Sequence, residues 1–192
     1  MRIIGGKYKG MNIEAPRGLL SRPPLALIRE SVFNILGEWV AGKSVLDLFA
    51  GTGSLGLEAL SRGAASTLFI DIDKRAIATV RANLELTGLT SQADVQKVNA
   101  FIYLEKPAQR KFDYIYVAPP QYKGLWKKVL ETLDNNMDWL TIDGWVITQI
   151  YPREFAPLEL KNLIEFDRRT YGSTMLIFYQ PLREENRSTE LE

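Results

Sequence analysis

The stretch that most constrains the fold runs from residue 43 to residue 58 and reads KSVLDLFAGTGSLGLE. An apolar run followed by apolar residues at helical spacing predicts a buried parallel strand and then a helix. Between them lie Gly51, Gly53 and Gly56, in G-x-G-x-x-G spacing. Such a turn lets backbone N–H groups and a helix N-terminus approach a ligand that a Cβ atom would hold away. The spacing alone is also compatible with a purely structural turn.

Two acidic residues near these glycines indicate a ligand. Asp47 precedes the first glycine by four residues, at the carboxyl end of the predicted strand, where open α/β sheets bind ligands. Asp71 ends the next apolar run, where a ribose-binding carboxylate would lie, and Asp73 is interpreted as a helix cap. NAD-type sites usually place their glycines directly after the strand. The pattern therefore favours a nucleoside ligand without a pyrophosphate, such as S-adenosylmethionine, over a dinucleotide or a structural turn.

The composition excludes several chemistries, because the sequence has no Cys and no His. Disulfides, thiolate or imidazole metal sites, Cys or Ser-His nucleophiles and a histidine base are excluded, and so is methylation of a pyrimidine C5 through a cysteine adduct. We expect no metal. No signal peptide and no apolar run of ~20 residues is found. The expected location is the cytoplasm, or an organelle stroma or matrix if a transit peptide was removed.

Charge is nearly balanced, at +1, but it is unevenly distributed. Residues 1–29 carry a net charge of +5, from six basic residues and Glu14, which leaves −4 for the rest. Phosphate contacts come mostly from Arg and Lys, so this basic arm predicts a polyanionic partner. A solvated basic surface is the alternative. The six basic residues are Arg2, Lys7, Lys9, Arg17, Arg22 and Arg29.

The first 37 residues are predicted to form an appendage. Residues 2–4 and 11–14 are short apolar stretches around a glycine-rich turn, which predicts a β-hairpin. Such a hairpin is marginal alone and must pack on something larger. Residues 24–36 then predict a helix with one buried stripe that stops at Gly37, with Arg22, Arg29 and Glu30 on its other faces.

From residue 44 onward, strands and helices alternate, which predicts an α/β fold with a doubly wound parallel sheet. Two last strand-like runs are separated only by Gly172 and Ser173, so the sheet should end in an antiparallel hairpin. We expect a domain at 38–182 and a disordered tail at 183–192. The predicted strands are 44–49, 67–71, 94–99, 112–117, 144–150, 163–171 and 174–179, and the helices after residue 44 are 55–62, 74–87, 101–106 and 123–133.

A second informative stretch follows the predicted strand at 112–117. Pro119 and Pro120 stop that strand abruptly and leave the carbonyl groups near 117–119 without ladder partners. In a cleft, such carbonyl groups can accept hydrogen bonds from an exocyclic amine. A plain strand exit is the alternative interpretation.

Together these segments resemble the bacterial 16S ribosomal RNA (guanine(966)-N2)-methyltransferase family of the RsmD type. The resemblance extends from Arg2 to about Gln180, and the stretch at 47–63 is its most specific part. It implies a Rossmann-like methyltransferase fold, methyl transfer from S-adenosylmethionine to a guanine N2, and ribosomal RNA as partner, within a small-subunit assembly particle. A monomer is expected. The matching segments are 2–10, 22–23 with 29–34, 47–63 and Pro119-Pro120.

The resemblance also implies a role for particular residues. Asp71 would hold the ribose hydroxyls, with Ile72 against the adenine. Asn99 and Ala100 match the segment that meets the adenine edge, although the family more often has Asp where Asn99 stands; an amide can still accept from the adenine amino group. The residues implied to line the methionine and ribose side are Asp47, Ala50, Gly51, Gly53 and Ser54.

The sequence departs from the family at the catalytic loop. Family members have Asp or Asn, then Pro-Pro, then Tyr or Phe, whereas here Ala118 fills the first position and Gln121 the last, with the aromatic at Tyr122. The acidic or amide side chain normally accepts from the target amine, and the aromatic stacks on the flipped-out base. A silent RNA-binding protein that keeps the cofactor pocket is therefore an alternative, and an NAD-linked enzyme is a third. The loop residues are Ala118, Pro119, Pro120, Gln121 and Tyr122.

Overall fold

The structure, a computed structural model, describes residues 1–15 and 23–183. Arg17, Arg22 and the predicted tail from 184 onward lie outside these residues. The α-helices are α1 (Pro23–Leu36), α2 (Ser54–Ser61), α3 (Lys74–Thr87), α4 (Ala100–Leu104) and α5 (Leu125–Asn135). The strands are β1 (Ser44–Asp47), β2 (Ser66–Asp71), β3 (Ala93–Lys97), β4 (Phe112–Val117), β5 (Leu140–Ile150), β6 (Leu163–Tyr171) and β7 (Thr174–Pro181).

The strands form one sheet in the order β3-β2-β1-β4-β5-β7-β6. The first five are parallel, whereas β7 runs antiparallel to both β5 and β6. Gly172 and Ser173 connect β6 to β7, and Gly172 has the positive φ of 58° that such a tight turn requires. The predicted doubly wound parallel sheet with a terminal hairpin is confirmed.

Helices cover both faces of the sheet. Val45 of β1 packs in the hydrophobic cluster with α1, α2 and α3, and the next residue, Leu46, packs in the cluster with α4 and α5. Because successive side chains of a strand point to opposite faces, a strand buried on both faces is apolar throughout. None of the helices in the described ranges is long and apolar enough to span a membrane.

The N-terminal segment packs against the first face but forms no regular strands. Arg2 and Asn12 make an isolated antiparallel bridge, and the Ile3 N–H donates to the Met11 carbonyl at 3.0 Å. The predicted hairpin strands at 2–4 and 11–14 are thus reduced to one bridge. Ile3 and Ile13 are buried in the same cluster as α1, α2 and α3. The expectation that this segment packs on a larger body is confirmed.

A buried carboxylate attaches this segment to α2. Glu58 is fully buried and accepts hydrogen bonds from the backbone N–H groups of Ile4 at 2.8 Å and Gly5 at 2.7 Å. Its other contacts are ionic: Arg62 Nε lies 2.8 Å from one oxygen, and Arg29 Nε lies 3.5 Å from the other. A buried carboxylate needs such partners, because desolvation without them costs several kcal/mol.

The location of Arg29 differs from prediction. The sequence predicts that Arg29 lies on an outer face of α1 and contacts RNA. Its side chain is only 5% exposed, and its guanidinium donates to the Arg2 carbonyl at 2.7 Å. Burial lowers the pKa of Arg29, and the nearby Glu58 carboxylate opposes this shift. The N-terminal segment covers this face of α1, so Arg29 holds the segment in place and is unavailable to RNA.

Several strand ends differ from prediction, and two of these differences have a clear structural reason. β5 begins at Leu140 rather than at 144, because Leu140 pairs with Phe112 while Trp145 pairs with Tyr114, so that β5 bulges between them. Gly144 lies inside this bulge. β1 ends at Asp47 rather than at 49, because the chain then turns towards Gly51.

We predict that Glu58→Ala destabilises the protein by about 3–5 kcal/mol, because it leaves a buried arginine and two backbone N–H groups without their acceptor. Glu58→Gln should cost less, since the amide oxygen still accepts one of these bonds. Denaturant unfolding measures both effects. The matched control is Glu85→Ala, an exposed change on α3, expected within about 0.5 kcal/mol of wild type. Equal stability of Glu58→Ala and the control would contradict the prediction.

Candidate active site

The three glycines of the turn after β1 are required for different structural reasons. Gly51 and Gly53 have positive φ values of 54° and 74°, a conformation that favours glycine. A Cβ atom on Gly56 would lie 2.3 Å from the Phe69 ring, so Gly56 lets α2 pack closely on β2. Gly53 occupies the N-cap of α2, and Ser54 is the first residue of that helix. The turn therefore presents backbone N–H groups at the carboxyl end of β1.

Asp71, at the end of β2, is tied directly to this turn. One of its carboxylate oxygens accepts from the Gly51 N–H at 2.8 Å, and the other accepts from the Asp73 N–H at 2.8 Å. Each oxygen keeps a lone pair for a ribose hydroxyl. Asp73 caps α3 by accepting from the Arg75 N–H at 2.8 Å, which confirms its predicted role. Ile72 lies between the two acids and is 65% exposed.

Asp47 is the last residue of β1 and is only 2% exposed. Burial, with a smaller contribution from the charge of Asp71, raises the pKa of its carboxyl to about 7. The backbone N–H groups of Gly56 and Phe49 act in the opposite direction. No ion pair reaches Asp47 from the described residues. The site thus holds a desolvated carboxyl group for which a cation would be a favourable neighbour.

The remaining predicted cofactor residues complete this edge of the sheet. The Ala50 N–H donates to the Ile70 carbonyl at 2.9 Å, which links the ends of β1 and β2. Asn99 and Ala100 follow β3, the neighbour of β2, and Ala100 is buried. The Asn99 oxygen accepts from the N–H groups of Phe101 at 2.9 Å and Ile102 at 3.4 Å. The Asn99 oxygen therefore caps α4. These two bonds compete with the predicted hydrogen bond from an adenine amino group to the same oxygen.

The predicted catalytic loop follows β4, next to β1 in the sheet. Ala118 is partly buried, Pro119 is buried and Pro120 is exposed. The Gln121 oxygen accepts from the Tyr151 N–H at 2.9 Å, while its amide nitrogen donates to the Pro119 carbonyl at 3.3 Å. Gln121 therefore clamps the loop to the chain after β5, and its oxygen is already engaged.

Tyr122 reinforces this connection. It is the one non-glycine residue of the described chain with positive φ, at 61°. Its N–H donates to the Glu154 carboxylate at 2.5 Å, and its ring stacks on Tyr151 with centroids 5.1 Å apart and planes at 17°. The left-handed conformation costs on the order of 1–3 kcal/mol and persists only where surrounding contacts hold it. The side chain itself is 70% exposed, available to a base.

The basic side chains of the N-terminal segment are presented by a fixed backbone. Lys7 donates from its N–H to the Ser61 carbonyl at 2.7 Å, and the next N–H, of Tyr8, donates to the Ser61 hydroxyl at 3.0 Å. Gly6 fits here because a Cβ atom would lie 1.9 Å from the Ser61 oxygen. The exposed predicted RNA contacts in the described residues are Arg2, Lys7 and Lys9.

Sequence reasoning missed several residues that assemble the site, among them Glu58, Asn83, Tyr151 and Glu154. Asn83 is fully buried in α3; its oxygen accepts from the Glu14 N–H at 2.7 Å, and its amide donates to the carbonyls of Glu14 at 3.1 Å and Thr52 at 3.2 Å. An Asn or Glu at a helical core position was the available signal, since buried polar groups need partners.

The residues present fit a nucleoside carrying a sulfonium. A Cβ atom on Gly51 would have no close neighbour except the Phe49 carbonyl at 4.0 Å, so space lies open in front of the turn. Asp71 lies beside that space with free lone pairs, and the buried Asp47 lacks a cationic partner among the described residues. The open turn, the Asp71 carboxylate beside it and the unpaired carboxyl group of Asp47 are compatible with S-adenosylmethionine.

The strand order, the reversed seventh strand and this glycine turn define a Rossmann-like methyltransferase fold. A family model described as "Conserved hypothetical protein 95" matches residues 1–180, and the chain belongs to that family. Solved structures agree: "Putative methyltransferase yhhF from Escherichia coli" superposes with a TM-score of 0.84 at 28% identity, covering 94% of this chain and 97% of that one.

Curated relatives carry more specific names. "Putative rRNA methyltransferase YlbH" of Bacillus subtilis is 37% identical over 182 residues, 94% of this chain and 98% of the relative. "Ribosomal RNA small subunit methyltransferase D" of Escherichia coli is 33% identical over 180 residues, 94% of this chain and 89% of the relative. The predicted relationship to the RsmD-type family is confirmed.

The raised pKa of Asp47 predicts how stability depends on pH. The ordinary pKa is 3.8 and the folded value is about 7, so between these pH values the folded state binds the extra proton. The free energy of unfolding therefore falls as pH rises from about 4 to 7, by about 1.4 kcal/mol per pH unit. Asp47→Asn should remove this slope and be more stable than wild type at pH 8.

Denaturant unfolding between pH 4 and pH 8 measures this effect. Asp94→Asn, the same change at an exposed position of β3, is the matched control and should keep the wild-type slope. A slope shared by wild type and Asp47→Asn would show that Asp47 does not titrate in this range.

Proposed function

We propose that this protein transfers a methyl group from S-adenosylmethionine to the N2 atom of a guanine in small-subunit ribosomal RNA. The supporting observation is the hydrogen bond from the Gly51 N–H to Asp71, which builds a nucleoside site on the strands beside the proline loop of β4. The names of the Bacillus subtilis and Escherichia coli relatives supply the substrate class.

Within this proposal, Asp71 holds the ribose hydroxyls and Ile72 covers the adenine. Asp47 is oriented by backbone N–H groups at the carboxyl end of β1, and its ionised form stabilises positive charge in the pocket. Ala100 borders the adenine edge, with Asn99 fixing the start of α4 beside it. The turn residues that line the pocket are Ala50, Gly51, Gly53 and Ser54.

When bound, S-adenosylmethionine supplies a methyl group on a sulfonium sulfur; the new N–C bond forms as the C–S bond breaks, and one proton leaves the amine. The guanine N2 is a weak nucleophile because its lone pair is delocalised into the ring. The chain contributes by positioning the base, which can account for much of the barrier lowering. With no histidine in the sequence, the amine proton must leave through another acceptor or water.

The proline loop provides carbonyl acceptors rather than a side-chain acceptor. Ala118 has no polar side-chain atom, and the Gln121 oxygen is engaged by Tyr151. The Pro119 carbonyl accepts one bond, from Gln121, and keeps a second lone pair. We assign acceptance from the guanine amine to the main chain of Ala118 and Pro119, with Tyr122 stacking on the base.

Residues 1–37 act in this proposal as an RNA-binding appendage on a methyltransferase domain at 38–182, although both share one hydrophobic cluster. Arg2, Lys7 and Lys9 contact phosphates, and Arg17 and Arg22 continue the same basic stretch of sequence. The substrate is an assembling small-subunit particle, the protein is cytoplasmic, and it acts as a monomer without a metal.

Methyl transfer to ribosomal small subunits that lack the modification tests the proposed function. With labelled S-adenosylmethionine we expect wild-type protein to label the ribosomal RNA, at a guanine N2 on nucleoside analysis. Asp71→Ala should weaken cofactor binding by roughly ten-fold or more in calorimetry, because two hydrogen bonds to a charged group are lost. Arg81→Ala, on the exposed side of α3, is the control. Binding of NADH without binding of S-adenosylmethionine or S-adenosylhomocysteine would refute the proposal.

Ala118→Asp distinguishes an enzyme from a silent RNA-binding protein. A carboxylate at this position should raise turnover by roughly ten-fold or more, because a single preorganised hydrogen-bonding group at such a site is typically worth about 10²–10³ in rate. The control is Ala65→Asp in the exposed turn before β2. If neither wild type nor Ala118→Asp transfers label, despite cofactor binding, the silent binder is the better interpretation.

A further inference from the structure

A cavity of about 410 Å³ lies beside the proline loop, on the side away from the glycine turn. Tyr122 forms one wall, the chain after β5 forms a second through Tyr151 and Arg153, and the β6–β7 turn at Gly172 and Ser173 closes the third side. Of the residues that line this cavity, only Tyr122 has a role in the site described above, where it stacks on the target base.

The sheet topology fixes where this cavity lies. β5 neighbours β4, and Met175, at the start of β7, pairs with Ile150, at the end of β5, so the β6–β7 turn meets Tyr151 at the carboxyl edge. Strands are spaced by about 5 Å, so the cavity lies one or two strands beyond the proline loop and farther still from β1. An occupant here is next to the target base, out of reach of a methyl donor held over β1 and β2.

The chemistry of the walls suits a nucleotide. Tyr122 and Tyr151 form a stacked aromatic pair, and exposed bases of single-stranded RNA bind by stacking on such rings. Arg153 is exposed and forms no ion pair with any residue that the structure describes, so its guanidinium is available to a phosphate. The nearest acid in sequence, Glu154, is engaged by the Tyr122 N–H.

The cavity is also rigidly coupled to the proline loop. The Gln121 side chain joins the Pro119 carbonyl to the Tyr151 N–H, and the Glu154 carboxylate holds the Tyr122 N–H. A ligand that orders Tyr151 therefore also orders the loop that receives the target base. Binding at this cavity therefore adds to the affinity for the substrate strand next to the loop.

We infer that this cavity binds the nucleotide adjacent to the target guanine, with its base against Tyr151 and its phosphate on Arg153. The inference rests on the proposed function, because it takes RNA as the substrate. It makes Tyr151 and Arg153 residues that hold the substrate strand beside the proline loop, in addition to the basic N-terminal segment and the cofactor pocket.

The test measures binding and methylation of small subunits lacking the modification, across a range of salt concentrations. Arg153→Ala should raise KM with little change in kcat and lower the slope of log KM against log salt by about 0.7, the contribution of one phosphate contact to a single strand. Arg153→Lys should retain that slope. Ser173→Glu, at the exposed turn, should also raise KM, because it places a negative charge in the cavity.

Stacking is tested separately. Tyr151→Ala should raise KM by roughly ten-fold, while Tyr151→Phe, which keeps the ring, stays near wild type. Arg81→Ala makes the same charge change at the opposite edge of the sheet and should leave KM and the salt slope unchanged. Calorimetry should show unchanged cofactor affinity for every variant, which separates a fold defect from a substrate defect.

Failure of the proposed function and failure of this inference give different experimental results. If wild type binds the subunits but transfers no methyl group, the proposed function fails, and the effect of Arg153→Ala on the salt dependence of binding still decides this inference. If wild type is active and both Arg153→Ala and Tyr151→Ala keep its KM and salt slope, the cavity does not bind the neighbouring nucleotide and the inference is overturned.

Discussion

The attachment of the N-terminal segment to the rest of the structure depends on the buried carboxylate of Glu58. Two backbone N–H groups of the N-terminal segment and the side chain of Arg62 satisfy it, and Arg29 adds charge nearby. Those contacts hold the exposed lysines at a fixed place relative to α2, the helix that begins at the glycine turn. The same interaction therefore connects the proposed RNA-binding surface to the proposed cofactor pocket, because both depend on α2.

Ala118 and Gln121 lie in a loop that hydrogen bonds hold in place. Relative to the family pattern the aromatic side chain is displaced by one residue, to Tyr122, which has a left-handed backbone. Gln121 uses its amide to join Pro119 to Tyr151. The loop thus has no side-chain acceptor at Ala118 and is attached to the chain after β5, so in the proposed function it contributes geometry rather than acid–base chemistry.

The sheet order and the pocket edge could be predicted because local signals determine them: glycine spacing, terminal acids and a two-residue hairpin turn. Arg29 was misplaced because its partner lies in a segment that crosses α1 from elsewhere in the chain, which periodicity within a helix cannot reveal. The start of β5 was missed because a bulge contains a turn-like Asp143-Gly144 pair. Tyr151 and Glu154 carry no motif, and only the pairing of β4 with β5 brings them to the catalytic loop.

The hydrogen bonds of Asn83 couple the N-terminal segment to the glycine turn. Its amide is bonded both to the end of the N-terminal segment, at Glu14, and to the glycine turn, at Thr52, with all three distances between 2.7 and 3.2 Å. If either backbone segment shifts far enough to break these hydrogen bonds, the other segment must shift as well. Otherwise the buried Asn83 amide loses a partner, which costs about 1–3 kcal/mol of stability. The N-terminal segment and the glycine turn, which the proposed function assigns to RNA and to the cofactor, are therefore expected to move together.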